Sequence, residues 1–211
     1  MPKLSPALFN QFLAGSVRQD FKWRRRSACP CVNAASGQAQ YDCPVCNGKG
    51  HIWSSTEVDC WAGMANQIPK KSFQPVSWEP GDAVLTIPSD SPLYAARQYD
   101  RIRALNSSTT FSEVITPGRN DKLRMPVIEV TRTFWIADDK QTIVEGGIPT
   151  VSADGGLSWS SGSPPAGRSF TVEGTRADEF YIYDSLPSDR NSGVSGLPLM
   201  LQARNFDLLG R

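Results

Sequence analysis

The segment CPCVNAASGQAQYDCPVCNGKGHIW, residues 29–53, holds four of the five cysteines of the chain: Cys29, Cys31, Cys43 and Cys46. They form two close pairs with 11 residues between Cys31 and Cys43, and each pair encloses a proline, Pro30 or Pro44. A tetrahedral zinc site takes four soft or borderline ligands, and close pairs let one turn of backbone present two sulfurs. Gly48 and Gly50 suit a knuckle whose backbone turns with positive φ and whose amides point at sulfur. The C-P-V-C-N-G-K-G half is a strong signal of such a site. The C-P-C half departs from the common spacing, which leaves at least two residues between ligands. The expected set is Cys29, Cys31, Cys43 and Cys46 around a structural Zn2+, as a zinc ribbon. Two alternatives stay open: His51 in place of Cys29 or Cys31, and no metal. Four thiolates leave no open coordination position, so the site is structural, not catalytic. Structural zinc supplies about 10–16 kcal/mol in small modules, enough to hold a loop-rich stretch with little core of its own.

The rest of the chain limits what the cysteines are for. Its 211 residues have room for one large domain or two small ones. Hydrophobic residues are 39 % and charged residues 20 %, and 17 Gly with 16 Pro favour a turn-rich β protein over a helical bundle. A net charge of +1 gives no global pull toward nucleic acid, membranes or acidic partners. No apolar run approaches the roughly 18 residues of a membrane helix. The N-terminal segment lacks the apolar core and cleavage site of a secretory signal. A cytosolic chain is expected, in which clustered cysteines read as metal ligands before disulfides.

Outward from the cysteines, residues 5–19 read as the one convincing helix. Ser5 caps it, Pro6 suits its first turn, and Leu8, Phe9, Phe12 and Leu13 recur at helical spacing. That stripe fits either its own domain or a neighbouring subunit. Beyond His51 the chain reads as β. Strands are expected at 51–62, 73–78, 83–87, 99–105, 109–115 and 127–136, with a single helical turn within 92–100. Turn compositions at 78–82 and 116–120 separate them. Further on, Gly155-Gly156 marks a hairpin tip with Leu157 and Trp159 alternating behind it. Strands follow at 168–173 and 179–183, then a polar loop at 185–197 and a last strand at 198–206. The fold class is mainly β: an N-terminal helix or arm (1–20), a zinc-ribbon module (21–53), a small antiparallel β-barrel or sandwich (54–137), and a β-hairpin module with a C-terminal strand or arm (138–211).

Catalytic groups are scarce. His51 is the only histidine, and it sits beside the knuckle rather than in a Ser–His–Asp arrangement. No glycine loop leads from a strand into a helix to cradle phosphate. Acid pairs such as Asp138-Asp139 fall in turn-like, solvated segments. No enzyme activity is expected. Cys60 reads as a small buried apolar residue. The densest charge run is Phe21-Lys22-Trp23-Arg24-Arg25-Arg26. Lys22, Arg24, Arg25 and Arg26 are candidates for a nucleic-acid or protein contact, against the plainer reading of a solvated or salt-bridged face.

Two stretches resemble known proteins. Residues 155–172, GGLSWSSGSPPAGRSFTV, resemble a hairpin of tailed-bacteriophage structural proteins, in which a strand ends in Trp, a Gly/Pro turn follows, and a Tyr- or Phe-Thr-Val strand returns. Phe170 stands here where tyrosine is usual. The C-P-C…C-P-V-C-N-G-K-G segment resembles zinc-bearing proteins of the head–tail connector, or neck, of such phages. The resemblance implies a virion protein, made in the host cytoplasm. It would form a ring with copies of itself, between portal or connector and tail proteins, around passing DNA and away from any membrane. The alternative is a nucleic-acid-binding zinc-ribbon protein.

Overall fold

The computed structural model describes residues 5–15, 17–46, 48–65, 81–185 and 196–209. A helix, α1 (Pro6–Ala14), is followed by β1 (Arg18–Arg24), β2 (Arg26–Ala28), β3 (His51–Trp53), β4 (Val58–Ala65), β5 (Ala83–Ile87), β6 (Arg101–Ile115), β7 (Val127–Ile136), β8 (Ile143–Glu145), β9 (Thr150–Val151), β10 (Leu157–Ser158), β11 (Phe170–Ser185) and β12 (Leu199–Asn205). Short 3-10 turns occupy Pro92–Ala95 and Phe206–Leu208. The mainly β class with an N-terminal helix is what the sequence predicts. No helix among the described residues is long and apolar enough to cross a membrane.

Six strands close into an antiparallel barrel in the order β12-β5-β4-β1-β6-β11, and β11 pairs back to β12. Closure removes the free edges that an open sheet would expose. The sequence reason is plainest in β1. Phe21 and Trp23 alternate with Lys22 and Arg24, so one face of the strand is buried and the other is wetter. Phe21 meets Cys60 on β4 and Ala104 on β6. The barrel core is Phe21, Trp23, Leu85, Ile87, Ile102 and Leu201 with their smaller neighbours. Each fully buried large side chain contributes about 1.5–3 kcal/mol. Two buried carboxylates are ion-paired. Asp82 accepts from the Arg204 Nε at 3.2 Å, its Nη2 at 3.1 Å and the Gln202 Nε2 at 3.2 Å, while Arg101 bonds the buried Glu179.

The chain forms two units, 1–106 with 179–211, and 107–178. The first contains α1, the barrel and the cysteine segment. The second has its own core of Ile115, Leu123, Val130, Phe170 and Val172, with Trp135, Leu157 and Trp159 packed against it. This partition differs from the sequence boundaries at 53 and 137. The barrel needs β1 from before the cysteines and β12 from the C-terminal segment, and composition does not reveal such distant pairing.

Several element limits also differ. The helix ends at Ala14, with Gly15 as its cap, and Arg18 and Gln19 open β1. Residues 51–62 divide into β3 and β4. The expected strands at 99–105 and 109–115 are one strand, β6, because the polar run Asn106-Ser107-Ser108 remains extended. Likewise 170–173 and 179–183 lie on the single β11, which begins at Phe170 and pairs with β7 through register shifts at Gly174 and Arg176. A Cβ at Gly174 would lie 2.0 Å from the Glu129 carbonyl oxygen, so only glycine permits that approach. Strands 83–87 and 127–136, the turn at 116–120 and the hairpin at Gly155-Gly156 form as expected. The strand expected at 73–78 lies outside the described residues.

Candidate metal centre

The cysteine segment is a loop on a two-stranded stem. β2 and β3 pair as Arg26↔Trp53, Ser27↔Ile52 and Ala28↔His51. The Cys29 amide then donates to the Gly50 carbonyl at 2.9 Å. The stem therefore delivers both ends of the cysteine loop to one place. Val32 N–H bonds the Cys29 carbonyl, forming a tight turn across Cys29-Pro30-Cys31. On the other side, Lys49 N–H bonds the Cys46 carbonyl and Gly50 N–H points at the Cys46 Sγ at 3.3 Å. Gly48 has φ +77, and a Cβ there would meet the Tyr41 carbonyl oxygen at 2.9 Å. The knuckle read from the sequence is thus built from left-handed glycine and amide-to-sulfur bonding.

The four sulfurs of Cys29, Cys31, Cys43 and Cys46 all lie within 4.8 Å of one another. Cys29 Sγ is 3.8 Å from Cys43 Sγ, and Cys31 Sγ is 3.5 Å from Cys46 Sγ. A tetrahedron with metal–sulfur bonds of about 2.3 Å has edges of about 3.8 Å, so the sulfurs are spaced to hold a metal ion. The one-residue gap in C-P-C does not prevent this, since Cys29 and Cys31 both reach the cluster. His51 is not a member of it. Its Nδ1 accepts from Arg26 Nε at 3.1 Å, and its ring stacks on Tyr99 at 4.5 Å.

The electrostatics favour a cation. N–H groups of Cys46 and Val45 draw the Cys43 thiol down to about 7. Burial pushes the Cys31 thiol up to about 12. Four sulfurs this close cannot all ionise unless a positive ion compensates them. Cys60 is separate: it is buried in the barrel against Phe21, and burial raises its thiol to about 12, which is the inert behaviour expected of it.

Sequence reasoning missed what fixes this loop to the barrel. Asp100 accepts from Arg26 N at 2.8 Å and Arg97 N at 3.0 Å, and from the Trp23 indole at 2.9 Å. Trp53 donates to the Tyr99 carbonyl at 2.9 Å and packs edge-on to Phe206. Lys49 Nζ donates to the Leu209 carbonyl at 2.9 Å. Tyr99 itself has φ 68, a left-handed conformation uncommon for a bulky residue. It lies between the rings of His51 and Tyr181. The aromatic residues of 51–53 were a usable signal, whereas the conformation of Tyr99 leaves no trace in composition.

The four candidate contact cations each have a local partner. Lys22 pairs with Asp59 at 2.6 Å, and Arg24 donates to the Ser54 carbonyl at 2.6 Å. Arg25 lies over the Trp23 ring, and Arg26 bonds His51. No protein-family model and no curated protein matches the chain.

Proposed function

We propose that the chain is a structural protein of a tailed-phage neck, forming a ring that joins portal to tail, with Zn2+ held by Cys29, Cys31, Cys43 and Cys46 as a structural ion. The observation that carries this reading is the packing of two aromatic rings within residues 155–172, the segment on which the phage resemblance rests. β10, paired with β9, leads into Trp159, and β11, paired with β7, begins at Phe170. The two rings meet edge-on at 5.4 Å between centroids, while the Trp159 indole donates to the Gly147 carbonyl. The residue pattern therefore corresponds to a packed unit in this chain. The thiolate spacing supports zinc, because zinc tolerates a closed tetrahedral set of four sulfurs. Such a site leaves the ion no position for substrate, and its role is to rigidify a loop.

The alternative, nucleic-acid binding through Lys22 to Arg26, draws less support, since each of those cations already has a local partner. The test is electron microscopy of the purified protein, alone and mixed with a phage portal protein. Rings, or density capping the portal, are expected. A protein that neither forms rings nor binds portal or tail proteins overturns the proposal. Elemental analysis of the reduced protein is expected to find one zinc per chain.

A further inference from the structure

The chain has two apolar surfaces of different shape that face solvent. On α1, Leu8 and Phe12 stand one helical turn apart and are 68 % and 64 % exposed. The opposite face of this helix is engaged: Leu13 is buried, and Asn10 Nδ2 donates to Ser89 Oγ at 3.0 Å. α1 is therefore held by one face and offers an i, i+4 apolar pair on the other, the arrangement by which helices enter grooves.

The second surface is a groove of about 640 Å³ in the 107–178 unit, walled by Val114, Phe134, Ile136 and Phe170. Val114 and Ile136 are more than half exposed. On its rim Arg168 is paired with Asp138, which leaves Lys140 as the further charge there. α1 carries no charged residue between Pro6 and Ala14, and no basic residue in its last turn. Its C-terminal carbonyls make a partial negative pole that its own side chains do not neutralise. An uncharged helix with a partial negative pole at its end complements an apolar groove edged by a lysine.

We infer that Leu8 and Phe12 of one copy fill this groove on the next copy, so that the chain associates head to tail. The contact is heterologous: each copy uses its helix in one junction and its groove in another, and repetition gives a ring when the rotation closes. This contact rests on the reading of the chain as a ring subunit and supplies the junction that such a ring requires.

The experiment uses the full chain in size-exclusion chromatography with light scattering at about 100 µM, a range that detects even modest self-affinity. Wild type is expected to run as an oligomer. Leu8→Glu with Phe12→Glu, and separately Val114→Glu with Ile136→Glu, are expected to weaken association by about 100-fold or more. Because these positions are exposed, each variant keeps the wild-type Tm. Mixed in equal amounts, the two variants are expected to give a dimer and nothing larger, since each retains one intact half of the contact. The inference is overturned by a monomeric wild type, by a helix variant that assembles like wild type, or by a mixture that stays monomeric. Portal binding separates the two levels. A helix variant that assembles normally and still caps the portal sinks only the contact, whereas a wild type that never binds portal sinks the neck reading.

Discussion

In the barrel, Phe21, Leu85, Ile87, Ile102 and Leu201 are sealed from water. In the cysteine loop the buried cluster is Cys29, Cys43 and Cys46, with Cys31, Val32 and Ile52 partly covered beside them. The barrel side chains are each worth about 1.5–3 kcal/mol through burial, and they are spread over six strands that pair far along the chain. Residues 29–50 have a two-stranded stem and turns, and too little apolar area to offset the entropy of ordering them. One region is held by many weak, distributed contacts, and the other by the chemistry of four atoms. The difference shows why one small protein uses both means: a barrel can bury its own interior, but a loop projecting from it cannot.

Removing the metal ligands strains this comparison hardest. Cys43→Ser with Cys46→Ser, or chelation, is expected to release the loop, because structural zinc contributes about 10–16 kcal/mol in small modules. Hydrogen exchange should show Val32 and Lys49 amides losing protection while those of Ile102 and Ile182 keep theirs. Equal loss in both places would mean that the barrel depends on the ion as well. The converse test is Ile102→Ala, expected to cost about 2–5 kcal/mol in chemical denaturation while metal content per folded chain is unchanged. Asp100→Ala addresses the joint between the two regions. It orphans three donors and is expected to cost about 2 kcal/mol, with faster exchange at the Arg26 amide than in the wild type.

The smallest effect is expected from pH. Burial, and then the charge of Arg26, hold the His51 imidazole below its ordinary 6.5. The folded chain therefore binds that proton less readily than the unfolded chain. Stability is full above 6.5 and declines as pH falls from there through the depressed value. His51→Gln should flatten that part of the Tm–pH curve. A variant whose curve matches wild type would show that His51 titrates freely.

Legibility in the sequence followed the same divide. The cysteine cluster was readable because thiolate chemistry is written in residue identity and spacing. Ala83–Ile87 and Val127–Ile136 were readable because their apolar runs end at clear turns. β1 was obscured by its charge: Lys22, Arg24, Arg25 and Arg26 drew notice as a patch, although Phe21 and Trp23 alternate with the first two as a half-buried strand does. β6 was divided in two because serine and asparagine read as punctuation, yet the strand continues through them. The joint at Asp100 and Tyr99 could not be read, since a buried carboxylate and a left-handed tyrosine depend on partners up to 83 positions away, as when Tyr99 N–H meets the Ile182 carbonyl.

Closure of the barrel by β12 also sets a time order. β12 pairs with β5 and β11, and a ribosome makes it after every other barrel strand. Until it emerges, β5 and β11 each present an unsatisfied edge, so the nascent chain passes through a window in which it can pair with the wrong strand. The four cysteines of the loop lie close together in sequence, so a metal ion could be held there well before that window closes. Assembly within one chain is therefore expected to run from the metal site first to the barrel last, with the final strand as the slow and chaperone-sensitive step.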